Sequence, residues 1–280
     1  MDTLIDAAGL NARLASGQRT VVLDVRWKLG DPDGRRHYLE EHIPGAVYVD
    51  LPSQLADPAV PSRGRHPLPS TARFQDAARS WGISDGDVVV AYDDAGSTSA
   101  ARAWWMLRNA GIRTVYLLDG GLAAWRAAGL PVEEGAVAPE AGNVTFTDAG
   151  MPVTDADGAA RWAAAGVLLD ARAAERYRGE VEPVDPRAGH IPGAVSAPTT
   201  ENLDDDGRFL PAEELRKRFA GLGVDAATPT AVYCGSGVTA SHEIAALEIA
   251  GFSAVLFPGS FSEWSNDASR PVATGERPGE

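Results

Sequence analysis

Cys234 is the only cysteine among 280 residues, and it lies in the run Ala231-Val232-Tyr233-Cys234-Gly235-Ser236-Gly237-Val238-Thr239-Ala240. An apolar, strand-like stretch leads into the thiol. Two glycines follow it, and then a helix-like segment from Ser241 to Ala250. That order aims backbone N–H groups and the positive end of a helix at one sulfur, a setting that favours the nucleophilic thiolate. Such a sulfur could exchange disulfides, attack a phosphoryl group, cleave a peptide bond or carry sulfur. Disulfide exchange of the Cys-x-x-Cys kind needs a second cysteine, and position 237 is Gly. A cysteine phosphatase needs an arginine at position 240 to hold phosphoryl oxygens, and Ala240 stands there. The local signatures of a papain-like protease are missing. A thiol that accepts one sulfur atom as a persulfide and hands it on needs only one cysteine, with no metal and no cofactor.

The elements that must position this thiol show up by self-comparison. Val21-Val22-Leu23-Asp24-Val25-Arg26 answers Val167-Leu168-Leu169-Asp170-Ala171-Arg172. His42-Ile43-Pro44-Gly45-Ala46-Val47 recurs as His190-Ile191-Pro192-Gly193-Ala194-Val195. Tyr92-Asp93 falls on Tyr233-Cys234, and Gly120 with Trp125 falls on Gly259 with Trp264. The order is kept, and the offset between copies drifts from 146 to 148 to 141 to 139, as changes in loop length would give. The chain is a tandem duplication in which Asp93 stands where the second copy has its cysteine. In the second copy the pattern predicts helices over 157–165, 211–220 and 241–250, with strands at 167–170, 230–233 and 254–257. Short apolar strands alternating with helices predict an α/β fold, two tandem domains each with a mainly parallel sheet and helices on both faces. Ligands in such sheets bind beyond the carboxyl ends of the strands, where Cys234 falls. The expected division is a first domain over 1–135, a linker over 136–150 rich in Pro, Gly, Glu and Ala, and a catalytic domain over 151–280.

Composition narrows the partners. The apolar share of 44% and charged share of 23% are those of a globular protein. A formal net charge of −14 argues against nucleic-acid or anionic-membrane partners. No apolar run approaches the ~20 residues of a membrane span, and the start reads without a basic, apolar leader. A lone cysteine excludes an intrachain disulfide and a multi-cysteine zinc site. Cytoplasm is the expected compartment.

The chain resembles a tandem-domain rhodanese-family sulfurtransferase over nearly its whole length. The residues that carry the likeness are the two His-Ile-Pro-Gly-Ala-Val motifs, the two Asp-x-Arg strand ends, the two glycine-to-tryptophan segments and the Cys234 loop. In that family the first domain has usually lost its cysteine and the second is catalytic, which implies that Cys234 is the nucleophile. Thiosulfate-preferring members usually carry basic residues just after the cysteine. Gly235-Ser236 here resembles the 3-mercaptopyruvate sulfurtransferase branch instead.

That branch implies a carboxylate seat at Arg176 and Arg187, whose planar forks suit carboxylate and keto oxygens. It also implies a persulfide held by the amides of Gly235, Gly237, Val238 and Thr239. A relay of Ser236 with His66 would manage the substrate's thiol proton. The position aligned with the relay aspartate is Pro52, and Asp50 or Asp57 could take its place. Arg172 could touch substrate or brace the loop. The implied donor is 3-mercaptopyruvate or thiosulfate, and the implied acceptor is a small thiol, a thioredoxin-like protein or cyanide. A non-catalytic sulfur-relay or regulatory module is the reading from another class. Structural roles are expected for His42, His190, Asp24 and Asp170, and packing roles for Trp104, Trp105, Trp125 and Trp264.

Overall fold

A computed structural model describes residues 2–147 and 150–279, so residues 148 and 149 of the expected linker lie outside the described residues. The chain divides into two compact units. The first comprises Met1–Ala56, Pro69–Met151 and Asp204–Phe209; the second comprises Asp57–Leu68, Pro152–Leu203 and Leu210–Glu280. The strip Asp57–Leu68 thus folds with the second unit, although the repeat places it in the first copy. No cut at 136–150 provides for that. The start of the expected linker is also no loose tether, since Gly142 and Val144 donate backbone bonds to Arg79 and Ile83 in the first unit.

In the first unit the elements run β1 (Leu4–Ile5), α1 (Ala7–Ala15), β2 (Thr20–Asp24), α2 (Gly34–Glu40), β3 (Val47–Tyr48) and α3 (Leu51–Gln54). They continue with α4 (Thr71–Ser80), β4 (Val88–Tyr92), α5 (Ala100–Asn109), β5 (Val115–Leu118) and α6 (Gly121–Ala127). Among the described residues its parallel sheet has the order β1-β5-β4-β2-β3. Side-chain caps start the helices that the sequence marks most clearly. Asp6 accepts from Gly9 N at the head of α1, and Ser70 accepts from Arg73 N at the head of α4.

The second unit opens with a 3₁₀ turn, Pro61–Arg63. It then runs α7 (Ala156–Ala165), β6 (Val167–Asp170), α8 (Ala174–Arg178) and β7 (Val195–Ser196). After a 3₁₀ turn at Thr199–Asn202 come α9 (Ala212–Gly221), β8 (Thr230–Tyr233), α10 (Thr239–Ile249), β9 (Val255–Leu256) and α11 (Ser260–Asn266). The described sheet is again parallel, with the order β7-β6-β8-β9. Every residue of β6 and β8 is buried, as a strand covered on both faces must be. The predicted α10 starts two residues early, at Thr239, because Val238 already has helical backbone angles. Among the described residues no helix is long and apolar enough to cross a membrane.

One buried polar unit explains why the repeated motifs travel together. At the end of β6, Asp170 accepts from Arg172 N at 3.0 Å and from the Arg172 fork at 3.0 and 2.6 Å. Arg172 Nη2 also donates to Gly189 O at 2.7 Å, just before His190, and His190 Nδ1 bonds Tyr177 O at 2.8 Å. Tyr233, adjacent to the nucleophile, accepts Ile191 N–H at 3.2 Å. The first unit repeats the pattern. Arg26 pairs with Asp24 and donates to Glu41 O, His42 bonds Tyr38 O, and Tyr92 accepts from Ile43 and donates to Asp24. The strand end is therefore tied to the His-Ile-Pro-Gly turn. Trp125 and Trp264 each donate an indole N–H to a downstream carbonyl, of Pro131 and Pro271, while Trp104 and Trp105 are fully buried. Replacing Arg172 with leucine strands the Asp170 carboxylate in the interior. The expected loss of unfolding free energy is about 3–5 kcal/mol, read from the denaturant midpoint.

Candidate active site

The Cys234 loop is held at its main chain. Cys234 O accepts from Phe261 N and Gly235 O from Ser262 N, both at 2.9 Å, so the head of α11 grips two consecutive carbonyls. Cys234 N donates to Ser260 Oγ at 3.1 Å, and that hydroxyl donates in turn to Phe257 O. Ser260 performs this with φ of +53°, a left-handed conformation that a non-glycine residue adopts at a cost. Gly237, at φ +79°, is required for a second reason: a Cβ there would collide with Pro258 O.

The sulfur itself is buried. Sγ accepts the Gly237 N–H at 3.1 Å, and Cys234 is 1% exposed. The N–H groups of Ser236, Val238 and Thr239 have no partner among the described residues. In the first unit the matching loop is filled by its own aspartate. Asp93 accepts from Ala95 and Ser97 on one oxygen, and from Ser99 and Ala100 on the other, at 2.8–2.9 Å. Ala95 and Ser97 correspond by the repeat to Ser236 and Val238. Four amide bonds do not fully offset the burial of Asp93, which pushes its carboxyl above the usual range.

The strip Asp57–Leu68 brings the sequence-predicted histidine to the serine. His66 Nδ1 and Ser236 Oγ are 2.8 Å apart. The strip closes on itself through Asp57 N to Pro67 O, and it reaches α11 where Arg65 N donates to Ser262 Oγ. Gly64 makes this approach possible, since a Cβ on it would sit 2.7 Å from Ser262 Oγ. Asp50 remains in the first unit, where its carboxylate takes the Ser53 hydroxyl.

Two arginines reach Gly235. A Cβ built on Gly235 would lie 3.0 Å from Arg65 Nη2 and 3.3 Å from Arg176 Nη1, so glycine keeps that space clear beside the nucleophile. The opposite amino groups are committed. Arg176 Nη2 donates to Glu182 Oε1 at 2.7 Å and to Asp185 Oδ2 at 3.1 Å, and Arg65 Nη1 pairs with Asp185 Oδ1. Glu182 also accepts the N–H groups of Val184 and Asp185. Burial alone would raise the Glu182 carboxyl, but those amides and Arg176 outweigh it and hold it below its ordinary range. For Asp185 burial wins over Arg65 and Arg176, and its carboxyl is raised.

One expectation needs correction, and one open alternative is decided. Arg187 does not join this group. Its guanidinium donates to the backbone carbonyls of Trp264, Ser265, Asp267 and Arg270 at 2.7–3.0 Å, fastening the last turn of α11 to the segment that follows it. Arg172 is consumed by Asp170 and Gly189 O and stacks 3.9 Å from the Phe261 ring, so it braces the loop from below. Arg65 is the residue that reading the sequence missed. Its one available signal was adjacency to His66.

Comparison with known proteins follows the same outline. The profile of the rhodanese-like domain matches residues 6–128 and 155–267, once in each copy. The chain belongs to the rhodanese family. Among rhodanese relatives it is 50% identical to a Mycobacterium tuberculosis protein, SseB, named as a thiosulfate sulfurtransferase, over 97% of both chains. It is 49% identical to a Pseudomonas aeruginosa protein named as a 3-mercaptopyruvate sulfurtransferase, over 98% of both. The crystal structure of SseA from Escherichia coli superposes with a TM-score of 0.82 at 33% identity, covering 93% of this chain and 99% of that one.

The Glu182 shift sets a pH dependence. A carboxyl held below its unfolded value of 4.5 adds stability above that pH and loses it as pH falls through the folded value. The stability gap between wild type and Glu182→Gln should therefore be full at pH 6 and shrink in acid below about pH 4.5, measured by urea unfolding at each pH.

Proposed function

We infer that the protein is a sulfurtransferase that takes sulfur from 3-mercaptopyruvate onto Cys234 and passes it to a thiol or to cyanide. The observation that carries this reading is the Cys234 loop with unpaired amides at Ser236 and Val238, beside a Ser236–His66 pair and two free arginine amino groups. Arg65 Nη2 and Arg176 Nη1 seat the carboxylate and keto oxygens. Cys234 thiolate attacks the substrate sulfur, a sulfur–sulfur bond forms and the carbon–sulfur bond breaks. Its electron pair leaves on carbon as the enolate of pyruvate. His66, through Ser236, takes the thiol proton and returns it to that carbon, giving pyruvate. The new terminal sulfur rests against the Ser236 and Val238 amides. An acceptor thiolate then attacks it and releases Cys234 as thiolate. A small thiol or a thioredoxin-like protein suits that last step. We assign the reaction to the cytoplasm, where a single unpaired cysteine stays reduced.

A second reading keeps the loop and takes thiosulfate as donor, and the name of the M. tuberculosis relative favours it. In that case sulfite leaves with its own electron pair and no thiol proton has to move. The two donors therefore separate at His66. His66→Ala should lower kcat/KM for 3-mercaptopyruvate by about 10²–10⁴, the usual worth of a positioned acid–base group, while thiosulfate turnover changes far less. Equal losses with both donors would make His66 structural. Intact mass after incubation with either donor should show one added sulfur on the wild type and none on Cys234→Ser. No adduct on the wild type would return the protein to a non-catalytic binding module.

A further inference from the structure

Around the loop, charge is balanced in an unusual way. Arg65 and Arg176 are the cations that face Gly235, and Asp185 and Glu182 are the anions bound to them, so the four side chains sum to zero. Asp185 is the shared member. Each of its oxygens holds a different arginine, its side chain is 1% exposed, and it binds Arg65 Nη1 and Arg176 Nη2, leaving Arg65 Nη2 and Arg176 Nη1 as the atoms nearest Gly235. The Nε atoms of both arginines are buried without a partner, so Asp185 and Glu182 provide the restraint on the two forks.

We propose that Asp185 is a specificity-determining residue: it aligns Arg65 and Arg176 as one seat for a single carboxylate, and its fixed charge disfavours dianions relative to monoanions. The physical argument is Coulombic. A monoanion finds two directed N–H donors in a neutral surround. A dianion feels both arginines and both carboxylates twice as strongly, so the charge of Asp185 weighs on it twice as heavily as on a monoanion, and at this depth salt screens little of it. The proposal rests on the donor reading above and sharpens it, because 3-mercaptopyruvate is a monoanion and thiosulfate a dianion.

The test measures binding as well as turnover. Isothermal titration with pyruvate and with sulfate gives a monoanion-to-dianion affinity ratio that needs no chemistry. Asp185→Asn should move that ratio toward sulfate by roughly five- to twenty-fold, and the kcat/KM ratio should move toward thiosulfate in step. Asp185→Glu, which keeps the charge, should hold the wild-type ratio. Arg65→Gln, on a part-exposed side chain, should move it the other way and serves if Asp185→Asn does not fold. An unchanged ratio in both Asp185→Asn and Arg65→Gln overturns the proposal. If the binding ratio shifts but no variant, wild type included, gains sulfur from either donor, the charge filter stands and the sulfurtransferase reading falls.

Discussion

The grip of α11 on two carbonyls of the Cys234 loop is the constraint from which the site follows. Phe261 N and Ser262 N fix the carbonyls of Cys234 and Gly235, and Ser260 supplies its hydroxyl to Cys234 N from a strained backbone. With both sides of the loop's main chain engaged, the amides of Ser236 and Val238 are left without a partner among the described residues. Ser262 serves twice, since its hydroxyl also accepts from Arg65. One helix head therefore holds the Cys234 loop and steers the strip that carries His66 and Arg65. Beneath it, Arg172 against Phe261 joins this grip to the Asp170 strand end.

The two copies show what one side chain does to such a loop. Asp93 extends a carboxylate into its own ring of amides and consumes four of them. Cys234 is shorter by an oxygen-bearing group and uses only Gly237 N. The donors spared are those a second sulfur would need. The first unit keeps the same fold, and its loop is filled by the hydrogen bonds of its own carboxylate.

Much of this was legible in sequence because it is local. Strands β6 and β8 fall on the apolar runs that predict them, since a strand buried on both faces leaves no room for polar interruption. The duplication located the Cys234 loop, and His66 does stand at Ser236. What escaped was long-range. Arginines are alike in sequence, and their role depends on which acceptors the fold presents. Arg187 meets four carbonyls in and beyond the last turn of α11 and becomes a fastener, whereas Arg65 meets one carboxylate and keeps an amino group for the loop. The membership of Asp57–Leu68 was hidden for the same reason. Its bond to Ser262 spans almost two hundred residues, and no periodicity encodes such a bond.

Because Arg65 and His66 ride on that strip, the copy bearing the thiol is not self-sufficient. Expressed alone from residue 152 onward, it would lack the His66 that meets Ser236 and the Arg65 that pairs with Asp185. The first copy thus lends a dozen residues to the unit that holds the thiol.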